Sequence, residues 1–449
     1  MNNRTKIALI VIIAVCATGG IVGGVTYVLV APGTQEQSNS LQVYNWWTSG
    51  GEAAAINALV AEFSSQYPDT IVTQVQIAGG SGIQLRTKIK TLMLAGDPPD
   101  TFQIHAGYEW KTFYDANLLD NIDTLWTPAL QAVIPDVVES INKGPDGHYY
   151  SVPVDIHRSN VLWFDYHILN ATTPAIDPST LTTWDKLIQA CQWIVDNSSL
   201  GISKPISIGP AWTQAHLLEQ ILASNISAYE DWINGKIDST SAPSYPALLH
   251  ACETYVALKP YIASPSGTWD AATAKLIDHT AAFNIMGDWA NGEFTQANFN
   301  FTDDYGTVAA PGTGNEYGLV IDCFEKPKGI AHPTNVDNWL GVVASKAGQD
   351  AFNPLKGSIA ARTDADPSKY GAYQQLSAIP DFAAISASGY MYPSVVHGSG
   401  APEGFNTDYQ PLAGELQAGT KTASQCAAAI AALAVTYQAE FTRVWDLTP

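Results

Sequence analysis

Two hydrophobic periods alternate along the chain after about residue 40, and together they predict an α/β protein. Ile56, Leu59, Val60, Phe63 and Tyr67 fall three or four apart, as on one helix face, and that helix should stop before Pro68. Residues 71–77, IVTQVQI, alternate like a strand. Gly79, Gly80 and Gly82 then make a turn, and a second helix carries Ile83, Ile89, Leu92 and Met93. The stretch AGDPPD breaks it before a short buried strand, TFQIH, at 101–105. Strand, helix, strand, helix, strand is the order of a mostly parallel sheet. Gln103 and His105 then end the third strand on the edge where the first strand also ends.

The pattern changes in residues 149–166, YYSVPVDIHRSNVLWFDY, which hold two extended pieces. Pro153 lacks an N–H, so the first piece is an edge or crossing strand, and the chain should leave one lobe for another here. Helical stripes follow at 184–195 and about 215–222, with Trp212 just before the second. Residues 281–294, AAFNIMGDWANGEF, read as a buried strand turning at Gly287 into a helix, and 317–324 as a further strand. A helix around 336–347 should end near FNPLKGSIAAR, where Lys356 precedes Gly357 at a second crossing. Ile430, Leu433, Ala434, Tyr437 and Phe441 share one face of a closing helix.

The first 30 residues follow neither period. Arg4 and Lys6 precede an uncharged run over 7–30. A bilayer needs about 20 apolar residues and a cleavable signal core about 7–15, so the run is long enough to stay as an anchor. Basic residues before it and the acidic bulk after it place the body outside the membrane. Glycines at 19, 20, 23 and 24 also allow a processed signal segment. Residues 31–40 have linker composition.

At 449 residues the chain exceeds one ordinary core, so two lobes are predicted. Forty-two acidic residues against 21 basic ones give a formal charge of −21, which argues against nucleic acid or an anionic membrane face as partner. Thirteen tryptophans and twenty tyrosines exceed the needs of a core and suit stacking on sugar rings. Cys16, Cys191, Cys252, Cys323 and Cys426 have no metal-ligand spacing, so neither a zinc site nor any other metal or cofactor is predicted. The last four could form two disulfides or stay as buried thiols. The glycine-rich turn lacks a GK[ST] ending, so it is no P-loop. Asn170, Asn197, Asn225 and Asn300 each open an N-x-[ST] triplet, candidate glycan sites on an exported body.

Candidate chemistry gathers first at 43–52, VYNWWTSGGE. Trp46 and Trp47 end a strand, and Ser49 with Glu52 has the form of a capping box opening a helix. Consecutive strand residues point to opposite faces, so one indole should pack and the other face a ligand. Trp269 stands in a polar stretch, where it forms either a satellite core or a second stacking wall. Asp322 interrupts the apolar run of 317–324, and a carboxylate so placed needs partners, as in a cleft, unless it lies at the surface end of the strand.

The segments VYNWWTSGGEAAAINAL, AGDPPD, YYSVPVDIHRSNVLWF, AAFNIMGDWANGEF and FNPLKGSIAAR, in this order, resemble the glucose-binding group of the family 1 extracellular solute-binding proteins of ABC transporters, in an archaeal, anchored form. The resemblance implies a type II periplasmic-binding-protein-like fold: two α/β lobes, residues 41–155 with about 317–360 and residues 156–316 with about 361–449, around a ligand cleft. By motif it implies ligand contacts from Trp46, Trp47, Glu52, Gln103, His105, Trp269, Asp322, Lys356 and His397. His105 stands where some relatives have lysine, and Ala360 where proline is frequent. The implied partners are a monosaccharide, glucose or an epimer, and ABC permease subunits served by a separate ATPase. The protein is then a monomeric binding protein rather than an enzyme, held at the outer face of the membrane through residues 7–30. Two rivals stand beside this: an oligosaccharide-binding relative, and a secreted glycoside hydrolase, which would need a matched pair of carboxyls about 5–9.5 Å apart.

Overall fold

A computed structural model describes residues 39–442 apart from residues 49, 210–211 and 265–266. The anchor predicted over 7–30 and the capping role of Ser49 lie outside the described residues, among which no helix is long and apolar enough to cross a membrane.

Twelve strands run through the described residues: β1 (Ser40–Asn45), β2 (Ile71–Gln76), β3 (Thr101–His105), β4 (Ser151–Pro153), β5 (His157–Arg158), β6 (Val161–Asp165), β7 (Ile206–Ser207), β8 (Phe283–Ile285), β9 (Tyr305–Ala309), β10 (Glu316–Val320), β11 (Asp322–Glu325) and β12 (Tyr390–Pro393). The first sheet has the order β2-β1-β3-β11-β4. Strands β1, β2 and β3 are parallel and joined by the helices Gly50–Gln66 and Ile83–Leu94, the βαβ pattern that the periodicity predicts. Strand β11 alone is antiparallel to its neighbours, and β4, with Pro153, takes the edge. A second sheet runs β7-β8-β6-β9 and a small third one β12-β10-β5.

Two apolar cores result. Leu41, Ile56, Phe102, Trp110 and Trp339 belong to the first, Leu187, Leu218, Trp232, Tyr255 and Ile430 to the second. Strand β6 is shared: Val161 and Trp163 enter the first core, Leu162 and Phe164 the second, as the twofold period of a strand requires.

The segments around 154–156, 320–322 and 357–359, which run between the sheets, hydrogen-bond one another. Val154 N–H donates to Asp322 O at 2.9 Å, and Ile156 and Ile359 exchange backbone bonds at 2.8 and 3.1 Å. The strand predicted over 317–324 breaks at Ile321 into β10 and β11, which join different sheets; the carbonyl of Ile321 accepts from Ala106 N–H at 2.9 Å and extends the pairing of β11 with β3 by one residue. The helix predicted over 336–347 is two helices, Pro333–Ala344 and Lys346–Lys356, since the Ser345 side chain caps the second by accepting from Gly348 N–H at 3.0 Å. Gly357, at φ +93°, ends it and turns the chain into the last of these segments. Cys191, Cys252, Cys323 and Cys426 are free buried thiols, so of the two readings left open by the sequence the structure holds the reduced one.

Candidate functional site

A cleft of about 380 Å³ opens where the first sheet ends its strands and the second core begins. Trp46, just after β1, lines it; its backbone N–H donates to Gln103 Oε1 at 3.1 Å, which holds the turn in place. Gly82, at φ +67°, backs the indole, and a Cβ there would fall 2.6 Å from the ring. Trp47 points the other way. It is fully buried against Phe352 and Phe324, at ring separations of 4.9 and 5.9 Å. The pair thus divides into a cleft residue and a core residue, as opposite-facing neighbours should, and Trp47 is not part of the cleft wall.

Glu52 sits in the first turn of the helix Gly50–Gln66. It accepts from Lys356 Nζ at 3.1 Å, and both groups are buried. The backbone N–H of Gly51 donates to Glu293 at 3.2 Å, and the Cα of Gly292 lies so close to Gly51 that a Cβ on Gly51 would fall 2.6 Å from it. A two-glycine helix start is what lets these two helices touch.

Asp322, at the start of β11, accepts from Gln103 Nε2 at 2.8 Å, while its own N–H donates to Asp155 Oδ1 at 2.8 Å. Gln103 is thus completely buried behind Trp46 and Asp322 and orients both. His105 lines the cleft, its ring tilted against that of Trp46 at 4.8 Å, with Nδ1 fixed at 3.0 Å by Glu109, a residue that in turn pairs with Arg86.

The charges are matched across distant segments. Burial works against the Lys356 ammonium, but Glu52, Asp322 and Asp155 outweigh it and raise its pKa. Burial raises Glu52 and Asp322 above the usual carboxylate range, with Asp155 adding to the rise at Asp322. His157, 3.1 Å from Asp155 and bonded through Nδ1 to Asp288, is lifted to about 9 by those carboxylates against the opposing effect of burial.

The opposite wall is aromatic. Trp269 begins the helix Trp269–Ile277 rather than preceding it, and lines the cleft with Trp289 and Trp212, whose rings lie 6.3 Å apart. Gly287 leaves room for the Trp289 ring, which a Cβ would strike at 2.2 Å. His397, on the loop after β12, closes this side at 4.9 Å from Trp289 and 5.8 Å from His105. Of the nine predicted residues, Trp46, Glu52, His105, Trp269, Asp322, Lys356 and His397 line one cleft, whereas Trp47 and Gln103 stand behind it.

Sequence reasoning missed other members, three of them aromatic. His157, Trp212 and Trp289 also line the cleft. The signal for Trp289 was present, since it follows the same strand-to-glycine turn that marks Trp46. His157 carried none, because nothing local shows that Asp155, Asp288 and Asp322 converge on it.

The model of the bacterial extracellular solute-binding proteins matches residues 47–350. The chain belongs to that family. Across 93% of both chains this solute-binding protein is 35% identical to an ABC transporter extracellular-binding protein of Pyrococcus horikoshii. It is 29% identical to a probable sugar-binding periplasmic protein of Brucella melitensis, over 82% of this chain and 85% of the other. Among solved structures it is similar to a chitin oligosaccharide binding protein, with a TM-score of 0.73 and 15% identity, covering 89% of this chain and 99% of that one. The two-lobed α/β fold of this extracellular solute-binding protein is thus that of the sugar-binding structures.

Proposed function

We propose that this solute-binding protein captures a single monosaccharide, glucose or one of its epimers, and delivers it to an ABC importer. The observation that carries the reading is the pairing of Trp46 with Trp269 and Trp289 around a cleft whose polar groups are Asp322, Lys356, Glu52 and His105. Indole faces cover the apolar C–H surface of a sugar ring, and charged groups give hydroxyl hydrogen bonds worth about 1.5–3 kcal/mol each. Closure of the lobes about the passes at 154–156, 320–322 and 357–359 would bury the ligand and create the surface that a permease recognises. We assign residues 41–155 with 317–360 to one lobe and 156–316 with 361–449 to the other.

A longer ligand is the second reading, favoured by the similar chitin oligosaccharide binding protein. Calorimetric titration with glucose, galactose, mannose and their disaccharides separates the two, and tight binding of disaccharides alone would overturn the monosaccharide reading. We further propose attachment to the outer membrane face through residues 7–30, monomeric action and glycans on the sequons. Asn170, Asn225 and Asn300 are exposed and Asn197 is half-buried, and glycopeptide mass spectrometry tests each.

A further inference from the structure

Resting on the sugar-capture reading, we propose that Ser394 and Glu219 lock His397 as the Nδ1–H tautomer, so that it receives a ligand hydroxyl as a donor through a bare Nε2. The proton inventory around Ser394 carries this. Its Oγ lies 2.8 Å from His397 Nδ1, 3.3 Å from the backbone N of His397 and 3.1 Å from Glu219 Oε2. A hydroxyl has one proton and two lone pairs. With the proton turned to Glu219, the two lone pairs receive the two N–H groups of His397, and every valence is used. With the proton turned to His397, two oxygens would face each other at 3.1 Å, out of water, with no hydrogen between them.

The protonation state of Glu219 does not undo this. Tyr229 Oη is 2.6 Å from Glu219 Oε1 and 2.9 Å from Pro393 O, yet has one proton for two acceptors. A proton taken up by Glu219 belongs on Oε1, where it reaches Tyr229 and frees the tyrosine proton for Pro393. Oε2 then still accepts from Val396 N–H at 3.2 Å and from Ser394. Burial raises Glu219 to about 7, so both forms are populated near neutrality, with one histidine tautomer between them. His397 itself stays neutral, because burial and the neighbouring His216, His105, His157 and Lys356 all disfavour a charge there.

A metal is a poorer account of the same residues, although ligand atoms of His216, Glu219 and His397 lie within 4.8 Å of one another. Tyr229, Val395, Ser394 and Val396 fill the acceptor positions of Glu219, and Ser394 holds the near nitrogen of His397. Nε2 of His397 is left over, buried and without a protein partner, in a side chain that lines the cleft, whereas His216, whose two nitrogens also lack a partner, does not line it. A hydroxyl that donates to it satisfies both groups. A fluorine or methoxy substituent at that carbon can only accept, and leaves the nitrogen unpaired.

Nitrogen-15 imidazole spectra of the ligand-free protein test the assignment directly, without reliance on any variant. The expected result is a protonated Nδ1 and a bare Nε2 at His397; the reverse pattern overturns the proposal. Ser394→Ala should release the tautomer and Ser394→Thr should retain it, and an unchanged spectrum in a folded Ser394→Ala protein also overturns it. In titrations, replacing the recognised hydroxyl by fluorine should weaken binding to the wild type on the order of tenfold, with the difference shrinking in Ser394→Ala. Absence of sugar binding altogether would refute the capture reading and would remove the hydroxyl from the proposal, while the spectra judge the tautomer on their own.

Discussion

Lys356 Nζ lies 3.1 Å from Glu52 Oε1, although 304 residues separate them and both side chains are buried. The pair ties the last interlobe pass to the first helix of the chain. Breaking a buried pair from one side leaves an uncompensated charge and costs about 3–5 kcal/mol, whereas apolar replacement of both partners is far milder. Lys356→Met should therefore lose more stability in urea unfolding than the double variant Lys356→Met with Glu52→Leu.

The two adjacent indoles should separate binding from stability. Trp46→Ala removes a cleft wall and should abolish most sugar affinity while costing less stability than the loss of Trp47, because one face of its ring borders the cleft. Trp47→Ala empties a site between Phe352 and Phe324 and should cost about 3–5 kcal/mol. Parallel calorimetric and urea titrations of both variants check the contrast.

Trp269→Ala and Asp322→Asn should each weaken sugar binding by tenfold or more, on the order of one lost stacking face or charged hydrogen bond, without unfolding the protein. Unaltered affinity in both would discredit the site.

Glu325 is fully buried, neither of its carboxyl oxygens has a partner, and burial holds its pKa well above the carboxylate range. A folded pKa above the unfolded one means that its contribution to stability is intact below about 4.5 and is lost as pH rises toward the folded value. Glu325→Leu should thus raise the melting temperature at pH 8 and change it much less at pH 4. The gain is about 1–3 kcal/mol, the cost of an unpaired buried polar group.

His216 behaves in the opposite sense. Burial lowers it to about 3, so the unfolded chain takes up a proton that the folded one refuses. Its contribution is intact above about 6.5 and falls as pH drops, by about 1.4 kcal/mol per unit, until pH 3. Replacing it with leucine should flatten that part of the acid unfolding curve.

The hydrophobic periods by themselves determined the parallel βαβ start, the edge position of the Pro153 strand, and the turn that presents Trp46. They did so because strand and helix spacing are local properties, set by side-chain direction every two or 3.6 residues. The resemblance, of which WWTSGGE and KGSI are part, carried the family and seven residues that line one cleft. Only the tertiary structure decided which indole faces the cleft, since alternation says that neighbours oppose each other but not which side the core will occupy. It likewise decided that Glu52 meets Lys356, that His157 gathers three carboxylates, and that Ser394 stands between Glu219 and His397. Those pairings join segments up to 304 residues apart, and a buried charge selects its partner by distance and dielectric, quantities that exist only once the lobes have been brought together.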